Sequence, residues 1–317
     1  MRKKHFIPKY PKSIPKWGQG FSWVPCGLIS IGLFLLLVGI LILAVVYLLE
    51  NTPSASEVAS TPVDLSENSI AFSSYRNGAS AIFTMKPDGA NVIQVTSGAA
   101  HAFDPTWSPD GSRIAFASTL SGQLDIYVIN ADGNGLIRLA DTPGEDRFPS
   151  WSPDSTQIVF RSSSQGKSTL WTVKVDGSGL RQLTPEEVDA EWPRWTDRQI
   201  LFSSRSVDGG WWTISFISPD GSDFQQIDLG FNAYHPDLYE NQIVFTGITV
   251  EGPAIYVMGT DGSDMRRIGV SEGFSPVWSP NGTQIVFVSG DTIYRMNSDG
   301  TGLTQLTASG RSPAWYR

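Results

Sequence analysis

One unit recurs six times in the 317 residues, and its period limits the fold more than any other feature. Asp-Gly pairs fall at Asp88-Gly89, Asp132-Gly133, Asp176-Gly177, Asp220-Gly221, Asp261-Gly262 and Asp299-Gly300, at steps of 44, 44, 44, 41 and 38 residues. Prolines keep the same beat at Pro105, Pro149, Pro193, Pro236, Pro276 and Pro313. A full unit reads Pro-x-Trp-Ser-Pro-Asp-Gly, then a β-rich run, a polar loop, a second β-rich run, the Asp-Gly turn and a short Leu-Thr-like strand. Four strands in about forty residues predict an all-β propeller, because one blade cannot bury its own faces and has to stack on neighbours.

The outermost units are incomplete in complementary ways. The unit at 67–98 holds Ile70-Ala71-Phe72, Ala81-Ile82-Phe83 and Val92-Ile93-Gln94 but no Pro-x-Trp strand before them. The chain finishes with Ser312-Pro313-Ala314-Trp315, which is such a strand and nothing more. Six blades are therefore expected over 67–317, the first completed by the C-terminal strand, a closure that removes an exposed edge.

Trp107-Ser108-Pro109-Asp110-Gly111-Ser112-Arg113-Ile114-Ala115-Phe116, followed by Asp125-Ile126-Tyr127-Val128-Ile129-Asn130-Ala131-Asp132-Gly133, resembles the repeat of the TolB-type, or WD40-like (PD40), β-propellers. Two units depart from it, with Thr196-Asp197 and Tyr239-Glu240 in place of Ser-Pro-Asp-Gly. The resemblance implies the propeller fold. Bacterial TolB carries an additional N-terminal α/β domain where this sequence is read as a membrane anchor, so its role in an envelope complex is not implied. Related propellers sit beside serine peptidase domains or act as sensor modules.

Charge is distributed unevenly. Six of the 23 basic residues and none of the 31 acidic ones precede residue 50. The acidic remainder is a poor match for nucleic acid, whose binding draws on phosphate neutralisation. From Cys26 to Leu49 run 24 uncharged residues rich in Leu, Ile and Val. As a helix they would reach about 36 Å, enough for a hydrocarbon core of about 30 Å. Residues 1–23 are read as a basic cytoplasmic tail, 24–49 as a transmembrane signal-anchor helix and 50–66 as a flexible tether rich in Ser, Thr, Pro and Ala. Basic residues before the span place the N-terminus in the cytoplasm and the propeller in the periplasm or outside the cell. Cys26 is the single cysteine, so no intramolecular disulfide can form.

Chemical motifs are sparse. There is no Gly-x-Ser-x-Gly elbow and no phosphate loop. His101 and His235 fall before two strand-one prolines and read as satisfied surface side chains. The Asp-Gly-x-Gly segments lack the alternating acids of an EF-hand and read as turns. No catalytic residue, metal or cofactor is expected.

Connections should alternate between two faces of the ring, tight turns on one and variable loops on the other, where binding usually resides. On the variable face the ligand-binding candidates are Phe103, Asp104, Phe148, Asp189, Glu191, Trp192, Tyr234, His235, Phe274 and Arg311. They would form an aromatic and acidic rim suited to a peptide segment or a sugar. Glu145, Asp146, Arg147 and Glu272 lie near it, and Trp211-Trp212 offers a second contact. Trp107, Trp151, Trp195, Trp278 and Trp315 read as blade packing. The expected function is non-catalytic binding of an envelope protein or a glycan. The alternative is a carbohydrate-active lyase or hydrolase using Asp189 and Glu191 at the channel mouth.

Overall fold

The computed structural model describes residues 70–140, 142–206 and 209–316. The expected tail, membrane span and tether all lie outside these residues. Among the described residues no helix is long and apolar enough to cross a membrane.

Those residues form a six-bladed propeller of four-stranded antiparallel sheets. The first blade holds β1 (Ile70–Arg76), β2 (Ala79–Met85) and β3 (Ile93–Gln94). The second holds β4 (Ala102–Trp107), β5 (Arg113–Ser118), β6 (Asp125–Asn130) and β7 (Ile137–Arg138). The third holds β8 (Glu145–Trp151), β9 (Gln157–Ser164), β10 (Lys167–Lys174) and β11 (Arg181–Gln182). The fourth holds β12 (Val188–Trp195), β13 (Ile200–Ser206), β14 (Gly209–Ile217) and β15 (Gln225–Ile227). The fifth holds β16 (Asn232–Tyr239), β17 (Gln242–Thr249), β18 (Gly252–Gly259) and β19 (Arg266–Ser271). The sixth holds β20 (Phe274–Trp278), β21 (Gln284–Ser289), β22 (Thr292–Asn297) and β23 (Thr304–Thr307). The final strand, β24 (Arg311–Trp315), leaves this order and pairs with β1.

That pairing sets Ile70 opposite Trp315 and Ala71 opposite Ala314. Ser73 Oγ donates to the Arg311 carbonyl at 3.2 Å. The tail also reaches the second blade, where the Tyr316 ring meets Trp107 edge-on at 5.9 Å. The ring is thus closed by pairing within a sheet and by packing across a blade boundary.

The core follows the stacking argument. Its six apolar clusters each straddle one boundary between adjacent blades. In each blade the strand beside the innermost one contributes one phenylalanine, Phe72, Phe116, Phe160, Phe202, Phe245 and Phe287, all at most 2% exposed. The repeated tryptophans are buried beside them except Trp195, which is half-buried. Polar links tie the inner strands together: Trp151 Nε1 donates to the Thr106 carbonyl at 3.2 Å, and the Trp195 backbone N–H to Ser150 Oγ at 2.9 Å.

The Asp-Gly segments are turns. Asp132, Asp176 and Asp299 each accept the backbone N–H two residues on, at 2.9 Å, which satisfies the loop locally.

Candidate functional site at the channel mouth

The innermost strands share an irregularity that shapes the channel. In each, the residue before the proline has positive φ: Asp104 (52°), Phe148 (54°), Trp192 (52°), His235 (52°), Ser275 (50°) and Ser312 (48°). A proline normally pushes its predecessor toward extended backbone, and bulky side chains seldom adopt this region. Here the ladder to the second strand shifts register at that point, as between Phe103 and Thr106 or between Glu191 and Arg194. The prolines cost no ladder bond, because an innermost strand has no partner on its channel side. Six-fold recurrence makes the bulge architectural.

The bulge divides the ten candidates into two tiers. Residues one before the proline line the channel: Asp104, Phe148, Trp192 and His235, joined by Ser275 and Ser312. Residues two before it stay in the ladder: Phe103 opposite Ala117, Glu191 opposite Ser203, Tyr234 opposite Thr246, Phe274 opposite Val288 and Arg311 opposite Ser73. Asp189 also stays there, opposite Arg205. The channel encloses about 80 Å³. That is below the roughly 150 Å³ that accommodates a benzene ring, so it admits waters, and a larger ligand would have to sit at the mouth.

The acids do not form a solvated rim. Asp104, Asp189 and Glu191 are all buried and paired. Asp104 accepts Arg147 Nε and Ser312 Oγ, each at 2.8 Å. Glu191 accepts Arg161 Nε at 2.9 and 3.0 Å on its two oxygens, with Ser168 Oγ at 2.7 Å. Asp189 takes Arg205 at 3.1 Å. Arg311 is exposed and pairs with Asp291. With these pairs in place, Asp189 and Glu191 hold strands together and are poorly placed to exchange a proton with a substrate.

The aromatic residues collect on one side. Trp192 sits at the centre, 5.8 Å from Phe148, 5.3 Å from Tyr234, 5.7 Å from Trp212 and 4.4 Å from His235. Arg147 lies over Phe148 at 4.7 Å and Arg205 over Trp212 at 4.8 Å. Further round, Phe103 stacks on His101 at 6.0 Å, and His101 on Tyr75 at 6.4 Å. The arc runs from Tyr75, 64% exposed, to the half-buried Trp212, whose neighbour in β14, Trp211, is 57% exposed. Phe274, in the sixth blade, is outside this group.

The histidines correct the sequence reading. They occupy different positions, and only His101 is a satisfied loop side chain, its Nδ1 accepting the Ser80 N–H at 3.1 Å. His235 lies within β16 and lines the channel. Among the described residues its Nδ1, shielded from solvent, has no hydrogen-bond partner, and neither has Trp192 Nε1 beside it. Burial, reinforced by the charge of Arg147, pushes the imidazole down to about 3, so it is neutral at physiological pH. Ser275 and Ser312 were missed as contributors, though counting one residue back from every proline would have found them; Arg147, read as lying near the rim, pairs with Asp104.

Among solved structures, TolB from Acinetobacter baumannii matches with a TM-score of 0.69 at 20% identity, over 78% of this chain and 66% of that one. The hydrazine synthase of Kuenenia stuttgartiensis matches with a TM-score of 0.66 at 17% identity, over 79% of this chain and 46% of that one. The tricorn protease matches with a TM-score of 0.58 at 17% identity, over 77% of this chain and 26% of that one. This chain therefore spans less than two thirds of each of these three proteins, and the likeness is one of fold. No curated protein matches it. The model of the TolB beta propeller domain matches residues 52–245, more than half of the chain, and so the chain belongs to the TolB beta propeller family.

Proposed function

We propose that the protein is a membrane-anchored, extracytoplasmic binding propeller that recognises an envelope protein or a glycan at the loop-face mouth of its channel, without catalysing a reaction. The observation that carries this reading is the arc of aromatic rings from Tyr75 to Trp212, with the exposed Trp211 beside it in the strand. It is interleaved with arginines, Arg147 over Phe148 and Arg205 over Trp212. Flat rings with a few charged donors between them offer a ligand both stacking area and hydrogen bonds. The family's fold is compatible with a binding or scaffold role. Anchoring rests on the uncharged run from Cys26 to Leu49 and the basic residues before it.

The competing reading is a carbohydrate-active enzyme. It needs two free carboxylates at the mouth, whereas Asp189 and Glu191 are both tied to arginines. Peptidases among the similar structures do not alter this, since the chain has no Gly-x-Ser-x-Gly elbow.

The test is crosslinking capture from intact cells with the full chain and with a Trp211→Ala/Tyr234→Ala variant, alongside a panel of glycans offered to the purified protein. A partner or glycan held by the wild type and lost by the variant, with no product formed, is expected. Cleavage of a polymer that persists in repurified protein would overturn the reading.

A further inference from the structure

The six blades act as internal controls for one another, and one boundary departs from the rest. Three residues before the strand-one proline, five blades carry a small buried residue: Ala102, Ala190, Ala233, Gly273 and Gly310. The third blade carries Asp146, fully buried. At the position that precedes the first core residue of the third strand, the other blades have Ala81, Thr169, Thr213, Ala254 and Thr292. The second blade has Asp125, also fully buried. The two substitutions meet across one boundary, where the Asp146 backbone N–H donates to the Leu124 carbonyl at 2.8 Å.

The surrounding groups do not balance two negative charges. Asp125 is satisfied, by Arg138 Nη2 at 2.9 Å, by Gln123 Nε2 at 3.1 Å and by Ser121 Oγ. Asp146 Oδ1 accepts Thr142 Oγ1 at 2.5 Å, and Thr142 Oγ1 lies 2.6 Å from Ser162 Oγ. Asp146 Oδ2 is shielded from solvent and has no hydrogen-bond partner among the described residues. Among the described residues packed around the pair, Arg138 on β7 is the basic group that reaches it. β5 presents Ser118 and β9 presents Ser162, both uncharged, while Glu145 on β8 is exposed and Arg161 on β9 is taken by Glu191. Gly144 lies close against β9, where an added Cβ would meet the Ser163 carbonyl at 2.5 Å.

We infer that Asp125 and Asp146 form a proton-operated latch between the second and third blades, closed when Asp146 is a neutral acid and loosened when it ionises. A carboxyl oxygen with no donor costs little while the group is neutral and much once it is charged. Burial in fact pushes the Asp146 carboxyl up to about 6, the charge of Asp125 adding to it against the hydroxyls of Thr142 and Ser162. The folded state thus holds a proton that the unfolded chain, with an ordinary carboxyl, releases. The latch contributes fully below about pH 4 and is lost as pH rises through about 6. Asp146 is two residues from Phe148, so loosening would be felt at the mouth.

The test compares the full chain with Asp146→Asn at pH 5 and pH 7.5. Infrared spectra should show a protonated buried carboxyl in the wild type at the lower pH, lost at the higher and missing from the variant. Hydrogen exchange over 140–147, corrected for intrinsic rates, should speed up at least tenfold in the wild type between the two pH values and stay flat in the variant. Equal pH dependence in the two proteins would overturn the inference. So would calcium raising the wild-type melting temperature at pH 7.5 but not that of Asp146→Asn, since the pair would then serve a metal ion. If Asp146→Asn does not fold, Asp125→Asn replaces it and should move the loss of the infrared band to lower pH; an unmoved band sinks the pairing.

Discussion

Ala71 and Ala314 are direct partners in one sheet, although one lies in the first strand of the propeller and the other in the last. The closure of the ring depends on that short ladder and on Trp315, which packs in the cluster shared by the first and sixth blades. Trp315→Ala should cost about 3–5 kcal/mol, the usual range for emptying a large aromatic site in a core. Deleting 311–317 should abolish cooperative unfolding. Thermal melts followed by tryptophan fluorescence measure both, and a deletion that melts like the parent would contradict the closure.

The Arg161–Glu191 pair is mostly buried, with side-chain exposures of 15% and 10%. Arg161→Ala strands a buried carboxylate with Ser168 as its remaining hydroxyl donor. A loss of about 3 kcal/mol or more is expected, because removing one partner leaves an uncompensated charge. The double replacement Arg161→Met/Glu191→Leu should recover most of it. Urea unfolding of the four proteins in the cycle decides this; additive losses would mean that the pair does not couple.

His235 gives stability an acid-side slope. The unfolded imidazole takes up a proton near 6.5, whereas the native one resists until about 3. Between those values the unfolded state binds more protons, so this contribution falls as pH drops from 6.5 toward 3. His235→Gln should reduce the loss between pH 7 and pH 4.5, read from urea midpoints, and the His235 imidazole resonances, assigned by their absence from the variant, should not titrate in that interval. The slope runs opposite to that of Asp146, so each variant is compared with its parent at each pH.

Trp211 and Trp192 separate binding from folding. Trp211 is 57% exposed, and its truncation should change stability by no more than about 0.5 kcal/mol. Trp192, enclosed by Phe148, Trp212, Tyr234 and His235, should cost about 3 kcal/mol when cut to alanine. On the proposed function, Trp211→Ala weakens the captured ligand at least about tenfold. Calorimetric titration with that ligand, paired with urea melts, makes the comparison.

The fold was legible because its signals are local and repeated. Asp-Gly turns and strand-one prolines mark every blade, and the missing strand of the first unit matches the lone strand at Arg311–Trp315. The site was legible only in outline. A straight strand alternates its side chains, but the bulge before each proline breaks the alternation, so Phe103 and Asp104 fall on different tiers from those simple counting gives. The ion pairs were hidden for another reason. Glu191 finds Arg161 on a strand of the preceding blade, 30 residues away, and an acid next to a loop reads as solvated until its neighbour in space is known. The same holds for Asp125 and Asp146, whose meeting depends on which blades adjoin.

The strand at Arg311–Trp315 also sets a schedule for biogenesis. The first blade is made early, yet it must wait with one edge open until the whole of the remaining ring has been synthesised. During that interval β1 offers unpaired backbone groups to any passing strand, including the β24 of another molecule. Exchange of this tail between nascent chains is therefore the misassembly to which the molecule is most exposed, and crowded expression should yield tail-swapped dimers that concentration after folding does not.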